Sequence, residues 1–141
     1  MLTSFVHHKF WRTHALLIAR IIMGGIFLMA AGMKFMDIEG QAQYVAMLHS
    51  WPYPVALVWI AAFFELALGL CLVTGAYFSQ AALVAGVYII FLAFAFHGPA
   101  MWIGSQAEFG FFVDHFTMLA GLLFMAAHGA GDTWKLKWGS R

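Results

Sequence analysis

The run from Leu66 to Ala107, LALGLCLVTGAYFSQAALVAGVYIIFLAFAFHGPAMWIGSQA, decides the fold class: it has 42 residues and no Asp, Glu, Lys or Arg. A hydrocarbon core of roughly 30 Å takes about 20 apolar residues as a helix. The run is long enough for two crossings. Gly75-Ala76-Tyr77-Phe78-Ser79-Gln80 supplies the break, a helix-ending glycine followed by a polar pair. A second charge-free stretch runs from Gly40 to Phe64.

Working outward, the pattern predicts an all-α chain of four membrane helices, at about 14–36, 53–74, 79–97 and 111–128, with ends good to roughly 2–4 residues. Pro52 and Pro54 suit a helix start, where a missing N–H costs nothing. Gly98-Pro99 closes the third helix, and Gly129 and Gly131 close the fourth. Residues 1–141 read as a single membrane domain without linker or repeat. The stretch from Asp37 to Trp51 suits a short amphipathic surface helix, and Met101 to Gly110 reads as a loop. Composition agrees: 64% of residues are hydrophobic and 9% charged, against about 25% charged in an average soluble domain. So few charges cannot coat a water-soluble enzyme, and a net charge of +1 gives no field for nucleic acid. The first segment reads as an uncleaved helix rather than a signal peptide, because its apolar run is long and Arg20 interrupts it.

Lys9 and Arg12 precede the first helix, and Lys135, Lys137 and Arg141 follow the fourth, so both termini are expected in the cytoplasm. Trp11, Tyr77, Trp134 and Trp138 then form an inner aromatic belt. Tyr44, Trp51, Tyr53 and Trp102 form an outer one.

A charge at the bilayer centre costs about 2.5–3.5 kcal/mol even on the mildest scale, so Arg20, Lys34 and Glu65 each need a partner or a task. Arg20, Gly24, Phe27, Ala31 and Lys34 recur at spacings of four and three and share one helix face. Glu65 shares its face with Ala61, Ala62 and Gly69. By helical rise, Glu65 lies roughly 13 Å, and Arg20 roughly 9 Å, from the inner ends of their helices. The expectation is an Arg20–Glu65 ion pair, either a structural pair that fixes register or a setting for a proton-handling Glu65.

Ala82, Gly86, Ile90, Ala93 and His97 share a face of the third helix, which brings His97 inward near the outer end. With Lys34, Asp37, Asp114 and His115 at the same level, the outer mouth gathers imidazoles, carboxylates and an amine. Such a set suits a quinone head group: its carbonyls want donors, and its reduction wants proton carriers that work near neutral pH. The competing reading is a ring of interfacial groups satisfied by water. The candidate quinone site is Lys34, His97, His115 and Asp114, with Glu65 and His115 as candidate proton carriers. No tight ligand motif supports a metal. His14 and His128 near the inner face bring bis-histidine haem to mind, but histidines at helix ends are common at the interface, and haem is not expected. Cys71 is the sole cysteine, so dithiol chemistry within the chain is excluded.

Arg20-x₃-Gly24-x₂-Phe27-x₄-Gly32-x-Lys34, Gln43-Tyr44-x₂-Met47-Leu48, Glu65-x₃-Gly69-x₂-Leu72-x₂-Gly75, His97, Gly121-Leu122-Leu123 and Gly129-Ala130-Gly131 follow one another in an order and spacing that resemble the DoxX family of small bacterial membrane proteins. The likeness spans about Ile18 to Asp132. The chain departs from the family pattern at His115-Phe116, where Lys-Asn is frequent, and at Ser79-Gln80, where a basic residue is frequent. The resemblance implies a four-helix bundle in the bacterial cytoplasmic membrane, associated with redox systems, among them a quinone-linked thiosulfate-oxidising one. Three roles follow as expectations. One is an accessory or scaffold subunit of a larger, redox-associated complex, not catalytic alone. Another is a quinone-facing oxidoreductase subunit that exchanges electrons with a partner. The third is a small-molecule or metal carrier. The partners expected are the lipid bilayer and other membrane or redox subunits.

Overall fold

A computed structural model describes residues 9–134 and 136, with side chains from residue 14. In chain order the helices are α1 (Lys9–Met36), α2 (Ile38–Leu48), α3 (Pro54–Thr74), α4 (Phe78–His97) and α5 (Gln106–His128), with a 3₁₀ turn at Pro99–Met101. Four segments are long and apolar enough to cross a membrane: His14–Met36, Pro54–Thr74, Phe78–Met101 and Gln106–His128. The expected four spans are present, and α2 is the short helix expected between the first two.

Local chemistry sets the boundaries. Asp37 caps α2 by accepting from the Gly40 N–H at 2.9 Å. Pro54 opens α3, and Gly75, at φ 78°, closes it with an N–H to the Cys71 carbonyl. The first span runs from His14 to Met36 as expected, on a helix whose backbone extends back to Lys9. One boundary is corrected: the fourth span begins at Gln106, not Phe111, because Ser105 caps it by accepting from the Glu108 N–H. Ser105-x-x-Glu108 is a capping-box spacing, so the loop expected over Met101–Gly110 shrinks to a few residues. Lys9, Trp11 and Arg12, as side chains, and Lys135, Lys137, Trp138 and Arg141 lie outside the described residues.

The bundle is two tightly packed pairs. In the first, α1 and α3 meet backbone to backbone. A Cβ on Gly24 would lie 2.9 Å from the Gly69 carbonyl oxygen and 2.6 Å from Val73 Cγ2. Only glycine permits this approach, and it fixes how far α1 slides along α3. In the second pair, Ala82, Ala85 and Gly86 of α4 face Leu119, Leu122 and Met125 of α5. The pairs join through Phe27, Leu68 and Leu72 at the end where Gly75–Tyr77 turns the chain, here termed the turn end. At the other end, the α2 end, Ala42 and Val45 pack on Val58, with Trp51 and Phe96 against them.

Arg20 is 1% exposed at the turn end. Its guanidinium donates to the carbonyls of Val73 (3.1 Å), Ala130 (3.0 Å), Thr133 (3.1 Å) and Trp134 (2.8 Å). The Leu136 N–H donates to the Thr74 carbonyl at 3.0 Å. Arg20 therefore clasps the segment after α5 to the end of α3. Gly24→Ala is expected to lower stability by about 1–3 kcal/mol through overpacking. Gly25→Ala, which faces open space, is expected to leave it unchanged; thermal unfolding in detergent compares the two. Arg20→Gln is expected to raise amide hydrogen exchange selectively after Gly129, because glutamine cannot supply the forked donors.

Candidate functional site

Glu65 sits midway along α3 and is 1% exposed. Its two carboxylate oxygens accept from Lys34 Nζ at 2.9 and 2.8 Å. Oε1 also accepts from the Tyr88 hydroxyl at 2.7 Å. The expected Arg20–Glu65 pair is not formed. The Gly24–Gly69 contact sets a register in which Arg20 lies level with Val73, the end of α3. Glu65 lies eight positions up that helix, roughly 12 Å away by helical rise. Lys34 begins about one turn beyond Glu65 and its side chain reaches back to it. With three donors spent on it, Glu65 is locked in place, which argues against its acting as a mobile proton carrier. Lys34 keeps one N–H unspent among the described residues.

Beside this triad lies a cavity of about 400 Å³ whose lining includes Lys34, Tyr44, Trp51, Phe96, His97 and His115. The volume falls in the range of small-molecule sites, about 300–1,000 Å³. His97 joins the end of α4 to the start of α5 through an Nδ1–Glu108 Oε2 contact of 2.7 Å. His115 Nδ1 donates to the Phe111 carbonyl at 2.6 Å. The two imidazole rings are 5.2 Å apart between centroids. Each spends Nδ1 on the protein and makes no other hydrogen bond among the described residues, so Nε2 is the nitrogen left for a ligand. Burial, and secondarily the Glu108 carboxylate, push the Tyr44 phenol above its ordinary value, which keeps it a donor. Trp51 stacks on His49 at 4.0 Å, and His49 Nε2 meets the Ala95 carbonyl at 2.9 Å. That lock ties the α2–α3 connection to the end of α4.

Of the expected mouth cluster, Lys34, His97 and His115 come together on one cavity. Asp37 is spent on capping α2. Asp114 is exposed and does not line the cavity: adjacent residues on a helix point about 100° apart, so Asp114 cannot share the direction of His115. Tyr88, Tyr44, Gln41 and Glu108 complete the site and were not among the expected members. Glu108 carried a signal in its capping-box spacing; Tyr88 carried one as the only hydroxyl of the otherwise apolar stretch Ala81–Phe96. Among the described residues no three His, Cys, Asp or Glu side chains group as a metal site would require. His128 is exposed and turned onto its own helix, with Nδ1 at 2.8 Å from the Phe124 carbonyl.

A model of the DoxX family matches residues 15–98. The chain belongs to the DoxX family. No curated protein and no solved structure matches it. The matched stretch is shorter than the likeness drawn from motifs and ends before α5. It contains the Lys34–Glu65–Tyr88 triad and His97. In this DoxX chain, Glu108 and His115 are therefore contributed by a helix outside the matched region.

Removing one member of a buried ion pair strands the other, at about 3–5 kcal/mol. Lys34→Met alone and Glu65→Gln alone are each expected to lower thermal stability on that scale. Lys34→Met combined with Glu65→Met should recover most of the loss. Melting curves in one detergent decide it.

Proposed function

We propose that this DoxX protein is the quinone-holding membrane subunit of a redox system. The observation that carries the reading is that Lys34, Tyr44, His97 and His115 line one otherwise apolar, aromatic-walled cavity, with Nε2 of each imidazole making no hydrogen bond among the described residues. A quinone ring needs flat apolar walls and donors at its carbonyl oxygens, and this set supplies both. Reduction to the quinol takes up two electrons and two protons; oxidation releases them. A partner protein bearing a flavin, haem or iron–sulfur centre supplies or removes the electrons. His97 and His115 pass the protons, with Glu108 next in line toward the surface. Locked between Lys34 and Tyr88, Glu65 holds the ammonium in place rather than moving protons itself.

The Lys and Arg residues at both ends of the sequence favour cytoplasmic termini, which sets the cavity toward the outer face of a bacterial cytoplasmic membrane. A scaffold role without ligand is the competing reading.

Gentle purification from native membranes followed by solvent extraction is expected to yield stoichiometric quinone. A partner complex without quinone would favour the scaffold. His115→Phe removes a hydrogen bond within α5 and keeps a ring beside His97, so the fold should persist while affinity falls about tenfold, the value of one good hydrogen bond. Asp114→Asn should leave affinity unchanged.

A further inference from the structure

We infer that the ligand enters sideways from the bilayer and that its hydrocarbon tail lies in a cleft between α3 and α4; the inference rests on the quinone reading for the head. The cavity has walls of unequal kind. Toward the α2 end it is roofed: Tyr44 and Val45 of α2 and Trp51 lie across it, held by the packing of Ala42 and Val45 on Val58 and by the His49–Ala95 contact. Toward the turn end it is floored, because Leu68 and Leu72 of α3 close onto Ala81, Ala85 and Ile89 of α4. Lys34 of α1 and His115 of α5 supply its polar side.

The remaining side is the seam between the two helix pairs. There Leu57, Ile60 and Phe64 recur along one face of α3, and Phe91 and Leu92 stand opposite on α4. All are apolar, and the rim is open to its surroundings: Ile60 is 65% exposed and Phe91 49%. These residues sit within segments long enough to span a membrane, so the medium outside the rim is lipid. One continuous space thus runs from donors at one end to hydrocarbon at the other. Its fitting occupant is one molecule with both ends, a carbonyl-bearing ring on an alkyl or isoprenoid chain.

A chain that passes from lipid into an apolar cleft gains little from water release, since lipid tails are as apolar as the cleft. The cleft acts by admitting the tail, and blocking it should expel the whole ligand sterically. The experiment uses the full chain in nanodiscs of neutral phospholipid and two probes with the same benzoquinone head, one bearing a decyl chain and one a methyl group in its place. Ile60→Trp puts a bulky side chain across the rim at a lipid-facing position. It should weaken the decyl probe about tenfold or more, as steric overpacking does, and leave the methyl probe within about twofold. Partitioning of the decyl probe into the disc is the same for both proteins, so their ratio isolates the cleft. Equal loss for both probes, or no loss for either, overturns the inference.

A decyl probe with a photoreactive group at the chain end gives a second measure on the unaltered protein. Its label should fall on Leu57–Phe64 or on Phe91 and Leu92. Labelling confined to α2 or α5, with the head still bound, overturns the cleft and spares the head site. Failure of the unaltered protein to bind either probe overturns both.

Discussion

A carboxylate in the middle of a bilayer-length helix has to be matched where it stands, and much of this bundle is arranged around that of Glu65. Its partners come from both helix pairs, Lys34 from α1 and Tyr88 from α4. The match depends on the glycine contact between α1 and α3. Sliding α1 by one turn, about 5.4 Å, would carry the Lys34 ammonium away from the carboxylate and leave two unmatched charges in hydrocarbon. The glycines permit the register, and the ion pair penalises every other one.

That dependence explains what the sequence made legible and what it did not. Four spans and a surface helix follow from charge-free run lengths and from turn residues, which are local properties. Lys34, His97 and His115 were recognisable as companions because each lies near the same end of its own helix. The partner of Glu65 was not, because depth counted from helix ends assumes those ends are level, and α1 starts below the others. Gly24 and Gly69 were visible on the faces of Arg20 and Glu65; setting those two glycines opposite one another brings Lys34, not Arg20, within reach. Asp114 was grouped with His115 by depth alone, without the turn of the helix between neighbours. Tyr44 and Trp51 were read as interfacial aromatics, which is how such residues look before a cavity is known to lie beneath them.

The two ends of the bundle answer the same problem differently. At the turn end, a buried cation meets backbone carbonyls, and Leu, Phe and Ala side chains fill the space between helices. At the α2 end the pairs separate around a cavity, and the Nε2 atoms of His97 and His115 have no hydrogen-bond partner among the described residues. The first arrangement spends both terminal nitrogens of the guanidinium on four carbonyls and suits a fixed clamp. The second keeps hydrogen-bonding capacity in reserve, which is what the proposed quinone site requires.

The Arg20 clasp also joins parts of the chain that are synthesised far apart. Arg20 lies in the first span, yet three of its four acceptors are supplied by residues 110 to 114 positions later. Until α5 has been inserted, the guanidinium has only the Val73 carbonyl among its final acceptors and must otherwise rely on water or lipid head groups. The hydrogen bonds of Arg20 are thus complete only once the last helix and the segment after it are in place. A chain interrupted before α5 carries an unquenched cation at the membrane boundary, a chemical mark by which unfinished copies differ from finished ones.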